Sequence, residues 1–152
     1  MDTKSFSIRL PLNVPAIIID AELFIPVIDQ KIEKTVSIKT KALIDTGANS
    51  SCISERLANA CRLRPISAMK MISAHGMSIA QIYEVSVKLS NEILFESVPV
   101  VEVSGSKSFD VIIGMDILSK GDFVYSSNEE TACFSMRIPS AKELIDFSKR
   151  PL

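Results

Sequence analysis

Apolar and polar side chains alternate along most of this chain, the pattern of half-buried β-strands. Phe6, Ile8 and Leu10 interleave with Ser7 and Arg9 and predict a first strand ending at Pro11. Residues 16–24 are nearly continuous in Ile, Leu and Phe, which predicts a second, more deeply buried strand. The polar stretch 29–33 reads as a turn. Val36, Ile38, Ala42 and Ile44 then recur at even spacing and predict a strand that runs straight into Asp45-Thr46-Gly47.

Past that tripeptide, Cys52 and Ile53 predict a short extended piece. Ser54 is a good helix cap, Glu55 suits a first turn, and Leu57, Ala58, Ala60 and Cys61 continue a short helix that Pro65 ends. Strand patterns return between 66 and 103, with a hairpin tip over Ser73-Ala74-His75-Gly76-Met77 and a turn at Ser90-Asn91. Asp110-Val-Ile-Ile-Gly114 predicts a short buried strand. A short helix follows over 115–120, with Gly121 as its expected C-terminal cap. Residues 122–125 and 132–138 predict a C-terminal hairpin, and 141–148 a terminal helix. The class is mainly β.

Composition narrows the picture further. The chain has 152 residues, enough for one domain over 1–152, with a core from about 5 to 138 and a tail at 139–152. Seventeen Lys and Arg against 18 Asp and Glu leave a net charge of −1, so no basic surplus points to nucleic acid. The most apolar stretch, 14–28, is broken by Pro15, Asp20, Glu22 and Pro26, too short and charged to span a bilayer. The first seven residues hold no apolar run of the kind a signal peptide needs. Cys52, Cys61 and Cys133 are odd in number and form no C-x-x-C pair, so reduced, buried thiols in the cytoplasm are expected. With a single His and no cluster of metal ligands, neither metal nor cofactor is expected.

The chemistry centres on Asp45. A carboxyl at the end of an Ala-, Leu- and Ile-rich strand is poorly solvated, and desolvation favours its protonated form. Gly47 permits a turn and close approach that a Cβ would block, and Thr46 supplies a hydroxyl for a neighbouring main chain. One carboxylate is still a poor catalyst of amide hydrolysis, because a second group must hold the opposite protonation state. The sequence contains no other D-T-G or D-S-G. A second copy of the chain is the economical source.

Two motifs carry a resemblance. Ala42-Leu-Ile-Asp-Thr-Gly-Ala48, followed about 65 residues on by Val111-Ile-Ile-Gly-Met-Asp-Ile-Leu118, resembles the retropepsin family: retroviral proteases and their cellular and bacterial relatives. Met71 to Gly76 falls where that family has its substrate-covering flap, and the segment beyond Gly121 is closer to bacterial members. The resemblance covers roughly residues 36–125. It implies a single-domain acid-protease fold: a closed, barrel-like β core, a flap hairpin and a short helix after the I-I-G strand. The implied activity is aspartic endopeptidase, acting as a homodimer on a peptide or protein. Asp45 is then the catalytic residue contributed by each copy, in a loop supported by Thr46, Gly47 and Ala48. Thr46 would tie the two loops together. Gly47, Asn49, Ser73, Ala74, His75 and Gly76 would contact substrate, and Ile113, Gly114 and Asp116 would stand behind the site as structure.

The departures from the family pattern shape the expectations. Viral members pair an Asp after D-T-G-A with an Arg after the later Gly; here those positions hold Asn49 and Met115. Both charges are missing together, so none is stranded, and dimerisation must use other contacts, expected in residues 5–10 and 132–138. Ala48 cannot donate a hydrogen bond to the carboxylate, which predicts a weakly acidic optimum. The flap has one glycine, Gly76, suggesting a stiffer lid, and Met69, Met71 and Met77 are candidates for an apolar pocket beside it. A silent dimer that binds extended peptides by strand addition is the alternative function.

Overall fold

Strand patterning of this kind yields ten strands and two short helices among residues 2–29, 32–73 and 76–149, which the computed structural model describes. In chain order they are β1 (Lys4–Leu10), β2 (Ile17–Asp29), β3 (Ile32–Ile44), β4 (Cys52–Ser54), α1 (Glu55–Ala60), β5 (Ser67–Ser73) and β6 (Gly76–Leu89). Next come β7 (Ile93–Val103), β8 (Val111–Ile113), α2 (Met115–Leu118), β9 (Asp122–Ser127) and β10 (Ala132–Ile138).

Six strands close into a ring in the order β2-β3-β8-β4-β7-β6, with β6 returning to β2 through Glu22–Lys88, Leu23–Val87 and Phe24–Ser86. The pairs β3–β8 and β4–β7 are parallel and the others antiparallel. The expected barrel-like core is therefore present. Its interior takes alternate residues: Ile19, Ala21, Leu23 and Ile25 from β2, Ala42 and Ile44 from β3, Val85 and Val87 from β6, and Val111 and Ile113 from β8. Ile117 and Leu118 of α2 are fully buried against them. Each such side chain contributes about 1.5–3 kcal/mol of transfer free energy, so a one-residue slip of any strand would be costly. Strand β5 lies outside the ring and pairs with the first half of β6 as a projecting hairpin.

The remaining strands form a separate sheet, β1-β10-β9, with β10 in the centre. Phe6, Phe134 and Met136 are buried on its inner face, and the Phe6 and Phe134 rings lie 6.2 Å apart. Because β10 pairs along its length with β1 and β9 of its own chain, it has no free edge to lend to a partner. Strand β1 pairs with β10 on one side only, so its outer edge has no strand beside it among the described residues.

Several sequence expectations need correction. Strand β2 reaches Asp29 and β3 begins at Ile32, paired with each other, so the strands take both ends of the stretch read as a turn at 29–33; residues 30 and 31 lie outside those described. Pro26 is tolerated because β6 pairs with β2 only up to Phe24, leaving that edge free of a ladder among the described residues. The helix expected over 141–148 is absent, and only a single 3-10 turn forms at Phe147–Lys149. Asp146 accepts from the backbone N–H and the hydroxyl of Ser148, so a local side chain takes an N–H that a helix would bond four residues back. Leu144, 95% exposed, would have no core to cover it. Gly121 does not cap α2 through a left-handed turn; Ser119 holds the cap position. Glycine is needed there because a Cβ would lie 2.1 Å from the Arg137 carbonyl oxygen.

The β6–β7 junction carries one pH-dependent element. The buried Tyr83 donates to Glu102 at 2.6 Å, and burial, followed by the Glu102 and Glu55 carboxylates, pushes its phenol up to about 12. The folded chain holds this proton more tightly than the unfolded chain does. The resulting stability is intact below the ordinary tyrosine value of 10.0 and is lost as pH rises towards about 12. Phenolate absorbance from one of the two tyrosines should thus emerge only near that upper limit, and Tyr83→Phe should remove the late component.

Candidate active site

The alternation that buries Ala42 and Ile44 turns Leu43, and next Asp45, to the opposite side of β3. Asp45 follows the last residue of the strand and is tied to β8 by its N–H, which donates to the Ile113 carbonyl at 3.0 Å. The side chain is half-buried. Its Oδ1 accepts from the Gly47 N–H at 2.8 Å, which fixes the carboxylate relative to its own loop. Gly47 does not adopt a left-handed conformation, so its backbone freedom is not what matters. A Cβ there would stand 3.2 Å from Asp45 Oδ1 and crowd the carboxylate. Thr46, Gly47 and Asn49 are exposed, and the Thr46 hydroxyl has no hydrogen-bond partner among the described residues.

Behind this loop the chain is clamped tightly. The Ala48 carbonyl accepts from the Met115 N–H at 2.8 Å, which anchors the loop to the start of α2. Gly114 lies beneath the loop, where a Cβ would sit 2.8 Å from Ala48 O and 2.8 Å from the Ser50 carbonyl carbon. Asp116 accepts from the Ser51 N–H at 3.0 Å and from its hydroxyl at 2.7 Å. Ser51 Oγ in turn accepts from the Gly114 N–H at 3.1 Å. Ser51 is fully buried with its groups paired, so this small network stiffens the loop instead of leaving buried polar atoms unsatisfied.

A second clamp holds β4 and α1. Ser54 caps α1 by accepting from the Leu57 N–H and donates to Asp110 Oδ1 at 2.6 Å. Arg56 grips both Asp110 oxygens, at 2.8 and 2.7 Å. Ser51, Asp110 and Arg56 were not picked out by sequence reasoning. Ser51 lies in a polar run, Asp110 reads only as the start of the buried strand and Arg56 only as part of the short helix, until the register brings the three elements together.

The register also builds a floor beside Asp45. Leu43 pairs with Ile112, Ile112 with Cys52, and Cys52 with Val101, so these residues form one row across β3, β8, β4 and β7. Leu43, Ile112 and Cys52 are half-buried, on the face away from Ala42, Ile113 and Ile53. The Cys52 thiol is pushed up by burial first and then by the Asp116 and Asp45 carboxylates, so it is held protonated. All three cysteines are free and half-buried, less enclosed than expected. Among the described residues, no three His, Cys, Asp or Glu side chains are grouped to hold a metal ion.

A family model described as "gag-polyprotein putative aspartyl protease" matches residues 32–120, more than half of the chain. The chain belongs to the retropepsin-like aspartic proteases. Among solved structures it is similar to the crystal structure of a retropepsin-like aspartic protease from Rickettsia conorii. That match has a TM-score of 0.55 at 15% identity and covers 90% of this chain and 96% of the other. It is also similar to the solution structure of the Simian Foamy Virus (mac) protease, with a TM-score of 0.47 at 20% identity over 67% of this chain and 91% of that one. No curated protein matches.

As a retropepsin-like fold, the chain places its β5–β6 hairpin where the flap was expected. Ala74 and His75 lie outside the described residues. Ser73 pairs with Gly76, whose φ of +113° is open to glycine and strained for other residues. Met69 and Met77 are exposed, and of the three methionines expected to form a pocket only the half-buried Met71 lines a groove, with Glu55, Ser78 and Glu102. Ile72, 85% exposed, leaves the hairpin more apolar at its surface than its methionines suggested.

Proposed function

We propose that the protein is an aspartic endopeptidase whose catalytic pair is made of two Asp45 carboxylates, one from each subunit of a homodimer. The observation that carries this reading is the state of Asp45 in the single chain. Its Oδ1 is pinned by Gly47, its loop is clamped from behind, and among the described residues no second carboxylate is hydrogen-bonded to it. A rigid, half-exposed carboxylate without a partner is half of an acid–base pair.

Two such groups brought face to face cannot both ionise easily, so they share one proton, as in aspartic proteases generally. The ionised Asp45 takes a proton from a bound water as the water's oxygen attacks the scissile carbonyl carbon. The protonated Asp45 donates to the carbonyl oxygen, which gives a neutral tetrahedral gem-diol. Return of protons through the pair to the amide nitrogen lets the C–N bond break, and the pair titrates as a unit. Thr46 would link the two loops, and the Gly47 carbonyl and Asn49 would hold substrate backbone. The row Leu43–Ile112–Cys52 offers an apolar wall to a side chain beside the scissile bond, and Ser73 to Gly76 would close over it. Ile113, Gly114 and Asp116 act as structure behind the loop. The whole of 1–152 serves as one such domain. Three free thiols fit a reducing, cytoplasmic setting, and no described helix is long and apolar enough to cross a membrane.

The test is cleavage of a peptide library across weakly acidic pH at increasing protein concentration. The expected rate rises more than linearly with concentration until the dimer is saturated. Absence of cleavage by a protein shown to be dimeric would favour the peptide-binding alternative. Since Ala48 offers no hydroxyl to the ionised carboxylate, the rate should peak at weakly acidic pH and fall below about pH 3. A rate still climbing below that point would contradict this role for Ala48.

A further inference from the structure

Strand β6 serves two parts of the molecule and changes partner at one position. From Gly76 to Ile82 it pairs with β5 as the flap hairpin, and from Ile82 onward it pairs with β7 as a wall of the barrel. The pair Ile82–Val101 is therefore the last rung before β6 and β7 part. Beyond it β7 continues as Glu102 and Val103, which pair on the other side with Ile53 and Ser54 of β4. A groove of about 280 Å³ opens in this fork, between Met71, Ser78 and Ala80 of the hairpin and Glu102 and Val103 of β7.

Burial does little to hold the hairpin at its angle. Among the described residues from Ser67 to Ile82 only Ala80 is buried, and a two-stranded ribbon by itself is marginal in water. Its placement therefore depends on its root. The Ile66 N–H donates to the Ile82 carbonyl at 2.8 Å, which closes the base of the hairpin but does not tie it to β7. Tyr83 makes that tie. Its ring belongs to the barrel core, and its hydroxyl donates to Glu102 Oε2 at 2.6 Å. Tyr83 stands opposite Val100, so the bond runs diagonally to the first β7 residue past the last rung. A ring fixed in the core thus grips the open lip of the fork through a carboxylate acceptor, the stronger kind of hydrogen bond.

We propose that the Tyr83–Glu102 bond is a hinge clasp that sets the angle of the β5–β6 hairpin over the Asp45 site, with both partners acting as positioning residues. This deepens the proposed function and rests on the hairpin closing over substrate there. Loss of the bond lets the fork spread past Ile82–Val101 towards Tyr83–Val100, which lengthens the free part of the hairpin. Contacts between the hairpin and a bound peptide weaken. The Asp45 loop is clamped separately through Ser51, Asp116 and Gly114, so the chemistry there is left in place. The effect falls on substrate binding.

The test compares hydrogen exchange of the full chain in wild type, Tyr83→Phe, Glu102→Ala, the double variant and Glu102→Gln. Tyr83→Phe keeps the buried ring, and amides of residues 67–82 should exchange at least about fivefold faster while those of the β1-β10-β9 sheet keep their wild-type rates. Glu102→Ala should match it, the double variant should exchange no faster than either single one, and Glu102→Gln, which retains an acceptor oxygen, should stay near wild type. Unchanged exchange over 67–82, an equal rise in every strand, or additive effects of the two substitutions overturns the clasp. In peptide cleavage, Tyr83→Phe should raise KM at least about fivefold with kcat within about twofold of wild type, and a fall in kcat alone also overturns it. A wild type that cleaves no peptide contradicts the protease reading, while the exchange comparison still decides the clasp.

Discussion

Asp45→Asn should lower peptide cleavage by at least about a thousandfold while leaving the fold and the dimer intact. The substitution keeps the shape and an acceptor oxygen for the Gly47 N–H, which now donates to Oδ1 at 2.8 Å. It removes the ability to exchange a proton, and the chemistry needs one carboxylate ionised and one protonated. Because Asp45 is half-exposed and makes no ion pair among the described residues, stability should change by less than about 1 kcal/mol. Matched kinetics, thermal unfolding and sedimentation of the two proteins check all three expectations. Persistent cleavage by the variant would mean that another group activates the water.

Gly114→Ala is the second substitution with a large expected effect, and it acts through structure. A methyl group would stand 2.8 Å from Ala48 O and from the Ser50 carbonyl carbon, and 2.9 Å from Ser50 O. These are backbone atoms of a loop held by Met115, Ser51 and Asp116, so they cannot yield as a flexible side chain could. The expected loss is about 3 kcal/mol, read as a lower urea midpoint, with cleavage lost because the Asp45 loop is displaced. Gly47→Ala provides the contrast. Its Cβ would approach only the Asp45 carboxylate, at 3.2 Å, so activity should fall far more than stability. Equal effects of the two substitutions on stability would show that the loop is not clamped from behind.

Much of this arrangement was legible in the sequence because it follows period-two alternation. The inner face of β3, the buried I-I-G strand and the Ser54 cap need only local information, and each forms where the pattern put it. The ring closure and the flap came through the resemblance carried by the two motifs. What stayed hidden depends on register between distant strands. The Ser51–Asp116 clamp joins positions 65 apart, and the row Leu43–Ile112–Cys52 exists only once β8 lies between β3 and β4. The tail shows the opposite failure. Residues 141–148 have helix-forming composition, yet Asp146 takes the N–H of Ser148, and no apolar surface covers Leu144.

The shared catalytic pair is tested most directly by mixing wild type with Asp45→Asn at constant total protein and allowing subunits to exchange. If each site needs an Asp45 from both copies, an equal mixture retains about a quarter of wild-type activity, because only wild-type pairs are competent. Retention of about half, falling linearly with the wild-type fraction, would mean that each chain works alone and would contradict the shared site.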